Sequence, residues 1–253
     1  MTLSVILIVR NEAINLHDCL SGVALADEIV VVDYGSQDNT CEIAIGLGAR
    51  LITTLDWPGF GLQKNRALDA ASSEWVLAID ADERVTPALW AQIQDAINSG
   101  KADAYEIPRL TQFCGQWIYH CGWTPDRVLR LFRRGFAHFS NDLVHEKLVL
   151  RRTDLPIKRL GEPLLHYSYP SPQAYWQKLQ RYSHDWAAQK HAAGQKTSIA
   201  RAALSGVTAF VRSYFFRLGF LDGSMGFVVC ALQAQAAFGK YFELYWLGQS
   251  NED

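Results

Sequence analysis

The sequence predicts an α/β fold with a mostly parallel central sheet, and three observations carry that expectation. Short apolar runs recur at the start of the chain and near residues 28, 50 and 75. Turn chemistry follows each run, and helix-period stretches lie between them. Strands apolar on both faces and alternating with helices imply a parallel sheet covered on both sides. The first strand is Leu3–Val9, LSVILIV. Arg10-Asn11-Glu12 opens a helix expected to turn Ile14, Leu20 and Val23 inward. Glu28–Val32 is the second strand and closes on Asp33; Ser36 or Asp38 can cap a helix to Leu47, and Gly48 ends it. Arg50–Thr53 is the third strand. A loop through Trp57-Pro58-Gly59 leads to a helix around Gln63–Ala71. Trp75–Ile79 is the next strand and runs into Asp80-Ala81-Asp82-Glu83. Thr86 before Pro87 reads as an N-cap with proline at the first helical position, and Leu89, Ile93 and Ile97 form the buried stripe up to Asn98-Ser99-Gly100. Ala104–Pro108 is a further strand.

The character changes near residue 111. Thr111–Asp126 is rich in aromatic residues, and Val128–Phe132 and Phe136–Phe139 read as short antiparallel strands. Ser171-Pro172 starts a long helix with Tyr175, Trp176, Leu179, Tyr182 and Trp186 expected on one face, ending near Gly194. The tail from Ser198 is apolar with sparse arginines. Ala202–Val211 and Gly223–Gly239 are uncharged runs, both shorter than the roughly 20 apolar residues that span a bilayer. They read as interfacial helices, with Arg201, Arg212 and Arg217 near anionic head groups, or as a buried helical pair.

The 253 residues are 49% hydrophobic and 20% charged, enough apolar mass for a sizeable core; this excludes a disulfide miniprotein, a collagen and a low-complexity chain. Net charge is −2 and no recognition-helix or zinc-finger pattern is present, so no nucleic-acid partner is expected. The five cysteines are odd in number and form no CxxC pair, which suits reduced thiols in the cytoplasm. No charged leader precedes the first apolar run, so no secretory signal is expected. Charge is unevenly placed. Residues 1–126 hold 7 Lys and Arg against 17 Asp and Glu, whereas residues 127–217 hold 16 against 5. An acidic first half suits a divalent cation; a basic second part suits phosphates, an acidic glycolipid or a membrane surface.

Two motifs point to chemistry. Asp80-Ala81-Asp82 directly follows an apolar strand, and ligands of open α/β sheets bind at the carboxyl ends of strands. Two carboxylates there call for a cation, and hard oxygen ligands fit Mg²⁺ or Mn²⁺ together with phosphate oxygens. Asp33 sits at a second strand end, where it can accept hydrogen bonds from a base or ribose, or serve the following turn. The GxGxxG fingerprint and the Walker A loop are both absent, which disfavours dinucleotides and P-loop ATP hydrolysis.

Val5–Glu12, Val31–Thr40, Lys64-Asn65-Arg66 and Ile79–Glu83, in this order and spacing, resemble family 2 glycosyltransferases. Trp123–Arg127, Arg130–Arg134, Val144-His145-Glu146 and Tyr214–Gly223 narrow the resemblance to bacterial lipopolysaccharide-core β-glucosyltransferases that extend an inner-core heptose. The resemblance implies a GT-A type, Rossmann-like domain over residues 1–170, with a nucleotide-sugar half (1–110) and an acceptor half (111–170). A C-terminal helical extension over 171–253 would touch a membrane. It also implies that Arg10, Glu12 and Asp33 line a nucleoside pocket and that Lys64 helps hold the base or diphosphate. Asp80 would face the ribose or metal, and Asp82 would bind the metal. The implied donor is UDP-glucose and the implied acceptor a glycolipid, handled peripherally on the inner face of the cytoplasmic membrane.

An inverting transfer needs a base near the acceptor hydroxyl. Glu146, beyond the aromatic segment and beside His145, is the candidate, with Asp126 in reserve. His166 can complete the metal site or pack as a strand histidine. Arg130 can reach a phosphate of the acceptor or face solvent. Trp117, Tyr119 and Trp123 read as a stacking floor for sugar rings or as core filler. A polyprenyl-phosphate sugar transferase and a non-catalytic nucleotide-sugar or glycan-binding module are the competing expectations.

Overall fold

The computed structural model describes residues 1–140, 147–151 and 156–249. Its elements follow in chain order. The first nine are β1 (Leu3–Val9), α1 (Ala13–Ser21), β2 (Glu28–Asp33), α2 (Thr40–Gly46), β3 (Arg50–Thr53), α3 (Phe60–Ala70), β4 (Trp75–Ala78), β5 (Glu83–Arg84) and α4 (Pro87–Ser99). There follow β6 (Ala104–Phe113), β7 (Gln116–Ile118), β8 (Asp126–Arg133), β9 (Ala137–Phe139), β10 (Leu148–Leu150), β11 (Ile157–Arg159) and β12 (Leu164–Tyr169). The last three helices are α5 (Pro172–Ala192), α6 (Ile199–Val211) and α7 (Gly223–Gln249).

The sheet order is β3-β2-β1-β4-β8-β6-β12-β5, with β11 and β7 also paired to β6. Strands β3, β2, β1 and β4 are parallel, with Val5 opposite Ile29 and Ile6 opposite Ala78. Beyond them the sheet is mixed, since β8 runs antiparallel to β4 and β5 antiparallel to β12. Side chains alternate across a strand, and the apolar runs therefore feed two cores. Leu3, Val5, Leu7, Ile29, Val31, Trp75 and Leu77 enter one, covered by α1, α2 and α4. Ile6, Val30, Val32, Val76 and Ala78 enter the other, under Ala67 and Leu68 of α3 and beside Phe132 and Phe139.

Helix α1 corrects one expectation. Ile14 is 88% exposed, and Leu16 and Cys19 join Leu20 and Val23 inside. The buried positions follow the i, i+3, i+4, i+7 spacing; Ile14, two residues before Leu16, lies about 200° around the helix from it. Helix α4 starts as expected, with the Thr86 hydroxyl accepting from the Leu89 N–H at 3.1 Å.

The described chain divides into two compact units, residues 1–109 with 127–166, and residues 110–126 with 167–253. The sequence reading put the boundary at 170 and the aromatic segment in the first part; here that segment groups with the C-terminal helices. The reason is its packing: Phe113 meets Trp123, Tyr169 and Tyr175 ring to ring at 5.7–6.0 Å. Ser171 caps α5, its hydroxyl accepting from the Ala174 N–H. Of the stripe expected on α5, Tyr175 is buried, whereas Trp176 and Tyr182 are exposed. Helices α6 and α7 pack along each other through small residues, Gly206 lying against Ala234 and Phe238. Among the described residues no single helix is long and apolar enough to cross a membrane. One pair, Ile199–Phe216 with Gly219–Gln249, meets that measure jointly and is bent by 74° at its break.

Candidate active site

The first unit gathers charge at the carboxyl end of its parallel strands. Asp80 follows β4 and lies between two cations, with Lys64 Nζ 3.0 Å from one oxygen and Arg130 NH2 2.5 Å from the other. Lys64 comes from α3 and Arg130 from β8. Arg130 is only 6% exposed and also meets Glu83 Oε1 at 2.8 Å. Glu83 is wholly buried, accepts the Asp80 N–H at 2.8 Å and has Arg109 at 3.6 Å. Burial pushes the Asp80 carboxyl up, but Arg130 and Lys64 override it and hold the group well below the usual carboxylate range. The same carboxylates push the Arg130 guanidinium up against its own desolvation.

Asp82 points elsewhere. Its Oδ2 is 3.4 Å from His166 Nε2 on β12, and both side chains keep partial access to solvent. One carboxylate and one imidazole suit a divalent ion that completes its shell with oxygens of a ligand and of water. Among the described residues no cluster of three or more His, Cys, Asp or Glu side chains could hold a metal. Asp80 is already committed to its two cations.

The loops after β1 and β2 are joined. The Asn11 N–H donates to Ser36 Oγ at 2.8 Å, Gln37 N–H to Asn11 Oδ1 at 2.8 Å, Glu12 N–H to Thr40 Oγ1 at 2.8 Å and Ala13 N–H to Asp38 Oδ2 at 3.1 Å. Asp33 is buried at the end of β2 and accepts from the N–H and hydroxyl of Ser36. Its carboxylate therefore shapes the turn. The Glu12 side chain accepts from Asn15 Nδ2 at 2.9 Å. Arg10 is exposed, with its guanidinium 4.7 Å from the Tyr34 ring centre, and Tyr34 leans on Trp57 at 5.0 Å.

Among the residues expected to act, Arg10, Glu12, Asp33, Lys64, Asp80, Asp82 and His166 all belong to the first unit. Arg130 belongs there too, but in a role not expected: a buried ion pair with Asp80 and Glu83 replaces the open acceptor contact. Trp117, Tyr119, Trp123 and Asp126 belong to the second unit. There Trp117 meets Tyr167 edge-on at 5.2 Å, Tyr119 is exposed, and Trp123 packs on Phe113 and Tyr169 as part of the core. Asp126 is the first residue of β8. Glu146 and its neighbour His145 lie outside the described residues. The sequence reading passed over Glu83 and Arg109. A signal for the network was present, since Arg130 interrupts the apolar run Val128–Phe132 and a cation buried there requires partners.

The family described as "Glycosyl transferase family 2" matches residues 4–147. An uncharacterized glycosyltransferase of Rickettsia prowazekii is 31% identical over 252 residues, covering 96% of this chain and 86% of its own. The lipopolysaccharide core biosynthesis glycosyltransferase LpsC of Rhizobium meliloti is 28% identical, covering 97% of this chain and 92% of its own. The crystal structure of S. aureus TarS 1-349 aligns at a TM-score of 0.49 with 15% identity, over 100% of this chain and 91% of that one.

Proposed function

This chain belongs to glycosyl transferase family 2, and from that premise we propose that it moves a hexose, glucose from UDP-glucose, onto a lipopolysaccharide-core glycolipid with inversion at the anomeric carbon. The observation that carries the reading is Asp80 pinned between Lys64 and Arg130, with Asp82 and His166 paired beside it. A strand-end array of this kind suits a sugar nucleotide, whose diphosphate brings negative charge and whose ribose brings hydroxyls. The LpsC relative, described as a lipopolysaccharide core enzyme, supports the choice of acceptor.

In this reading Asp80 accepts from a ribose hydroxyl, and Lys64 and Arg130 keep it ionised and fixed in place. Asp82 and His166 would hold Mg²⁺ or Mn²⁺, and such an ion would supply positive charge beside the diphosphate. Arg10, Tyr34 and the loop at Glu12 and Asp33 form the wall of the nucleoside pocket. The acceptor oxygen bonds to the anomeric carbon as the bond to the diphosphate breaks, and its proton passes to a carboxylate. Glu146 is the proposed base and Asp126 the reserve. The basic stretch over residues 127–217 supports work at an anionic membrane surface, peripherally on the inner face of the cytoplasmic membrane.

The test is a panel of radiolabelled nucleotide sugars offered with truncated core glycolipids and with polyprenyl phosphate, with and without Mn²⁺. Glucose from UDP-glucose should reach the heptose-containing core, and Asp82→Ala should lower the rate about 10²–10³-fold. Transfer to the lipid phosphate alone would replace the acceptor. Failure of every sugar nucleotide both to react and to raise thermal stability would overturn the reading.

A further inference from the structure

We infer that the turn joining α6 to α7, residues 215–221, is a preformed apolar wedge that inserts into the interfacial layer of an anionic bilayer. The inference deepens the membrane-surface reading above and rests on it.

Five large apolar side chains crowd this short stretch. Phe215, Phe216, Leu218, Phe220 and Leu221 are all exposed, Phe216 by 80%. Single exposed apolar residues are ordinary, but a contiguous patch marks an interaction surface. The turn is also tightly built. Leu218 sits at φ +56°, a left-handed conformation uncommon for leucine. Gly219 and Gly226 meet so closely that a Cβ on Gly226 would lie 1.9 Å from the Gly219 carbonyl oxygen. Next to the turn, Asp222 accepts from the N–H of Tyr119 at 3.3 Å and of His120 at 2.8 Å, and pairs with His120 Nδ1 at 2.8 Å. The second unit therefore fixes its backbone while turning its apolar side chains outward. Ordering them on binding then loses little further entropy.

Charge identifies the occupant. Between Arg201 and Asp222 the chain carries Arg212 and Arg217 and no Asp or Glu. Arg212 and Arg217, both exposed, bracket the first two phenylalanines. Apolar insertion combined with cations at the head-group level is the composition that binds anionic lipid.

The full chain should be floated with phosphatidylglycerol–phosphatidylethanolamine vesicles and with phosphatidylcholine vesicles. The wild type should bind the anionic set, and the double variant Phe216→Ser/Leu221→Ser should bind it about tenfold or more weakly. Leu204→Ser, an exposed position on α6 outside the turn, should bind like wild type. As a readout independent of the serines, brominated acyl chains should quench the added emission of Phe216→Trp. Equal vesicle affinity in wild type and double variant, without quenching at position 216, overturns the wedge but leaves the membrane reading standing. No binding by the wild type removes both. Conversion of a dimer to a monomer by the serines, with vesicle affinity unchanged, reassigns the turn to a second copy of the chain.

Discussion

Each of the two units pairs a carboxylate beside a turn, and each neutralises it differently. In the first, Asp80 is held by two full cations, one of which is shared with the buried Glu83. In the second, Asp222 is held by two backbone N–H groups and a histidine within one local stretch, Tyr119–His120. The Asp80 side chain is one-third exposed, whereas that of Asp222 is 5% exposed. An open array of paired charges can receive a charged ligand by rearranging its partners. A closed set of dipoles around one acid fastens two pieces of chain and has nothing left to offer. The difference separates an array open to a ligand from a clasp, although both are paired acids beside a turn.

Removing Arg130 should widen that contrast most. Arg130→Met leaves Glu83 wholly buried with its nearest cation gone, and loss of one partner of a buried pair costs about 3–5 kcal/mol. Urea unfolding should show that loss, and transfer should fall with it because Asp80 is no longer held. Asp222→Asn keeps the shape but turns an amide N–H₂ toward donors. Its expected loss is smaller, about 1–3 kcal/mol, with glycosyl transfer retained. Equal losses in the two variants, or the reverse order, would break the distinction drawn here.

The smallest effect is one of pH. The Asp80 carboxyl is lowered in the folded chain. Its contribution to stability is therefore complete above the ordinary carboxylate value of about 3.9 and is lost as pH falls through the lowered one. The stability gap between wild type and Asp80→Asn should stay level from about pH 5 to 8 and narrow only in stronger acid. A slope near neutrality, measured by thermal unfolding across that range, would show that another group supplies the coupling.

Much of this was written plainly in the chain. The runs at Leu3–Val9, Glu28–Asp33 and Trp75–Ala78 are apolar on both faces, and only the middle of a covered sheet satisfies them. Asp80 at the end of such a run had to meet compensating charge, and it does. What could not be read locally was the identity of the partner. Arg130 reaches Asp80 across 50 residues, through an antiparallel strand added to a parallel sheet, and no periodicity announces such a pairing. Ile14 shows a subtler failure. The helix begins at Ala13, and a shift in its assumed phase turns the wrong residue inward. The aromatic segment stayed open for a third reason, since Trp123 looks the same in a sequence whether it packs on a sugar or on Phe113.

The stitching between Asn11–Ala13 and Ser36–Thr40 has a practical corollary. Four hydrogen bonds make these stretches one mechanical part, although the chain visits them more than twenty residues apart. Anyone exchanging either stretch for that of a relative should therefore transplant both together, because either one moved alone arrives without its counterpart.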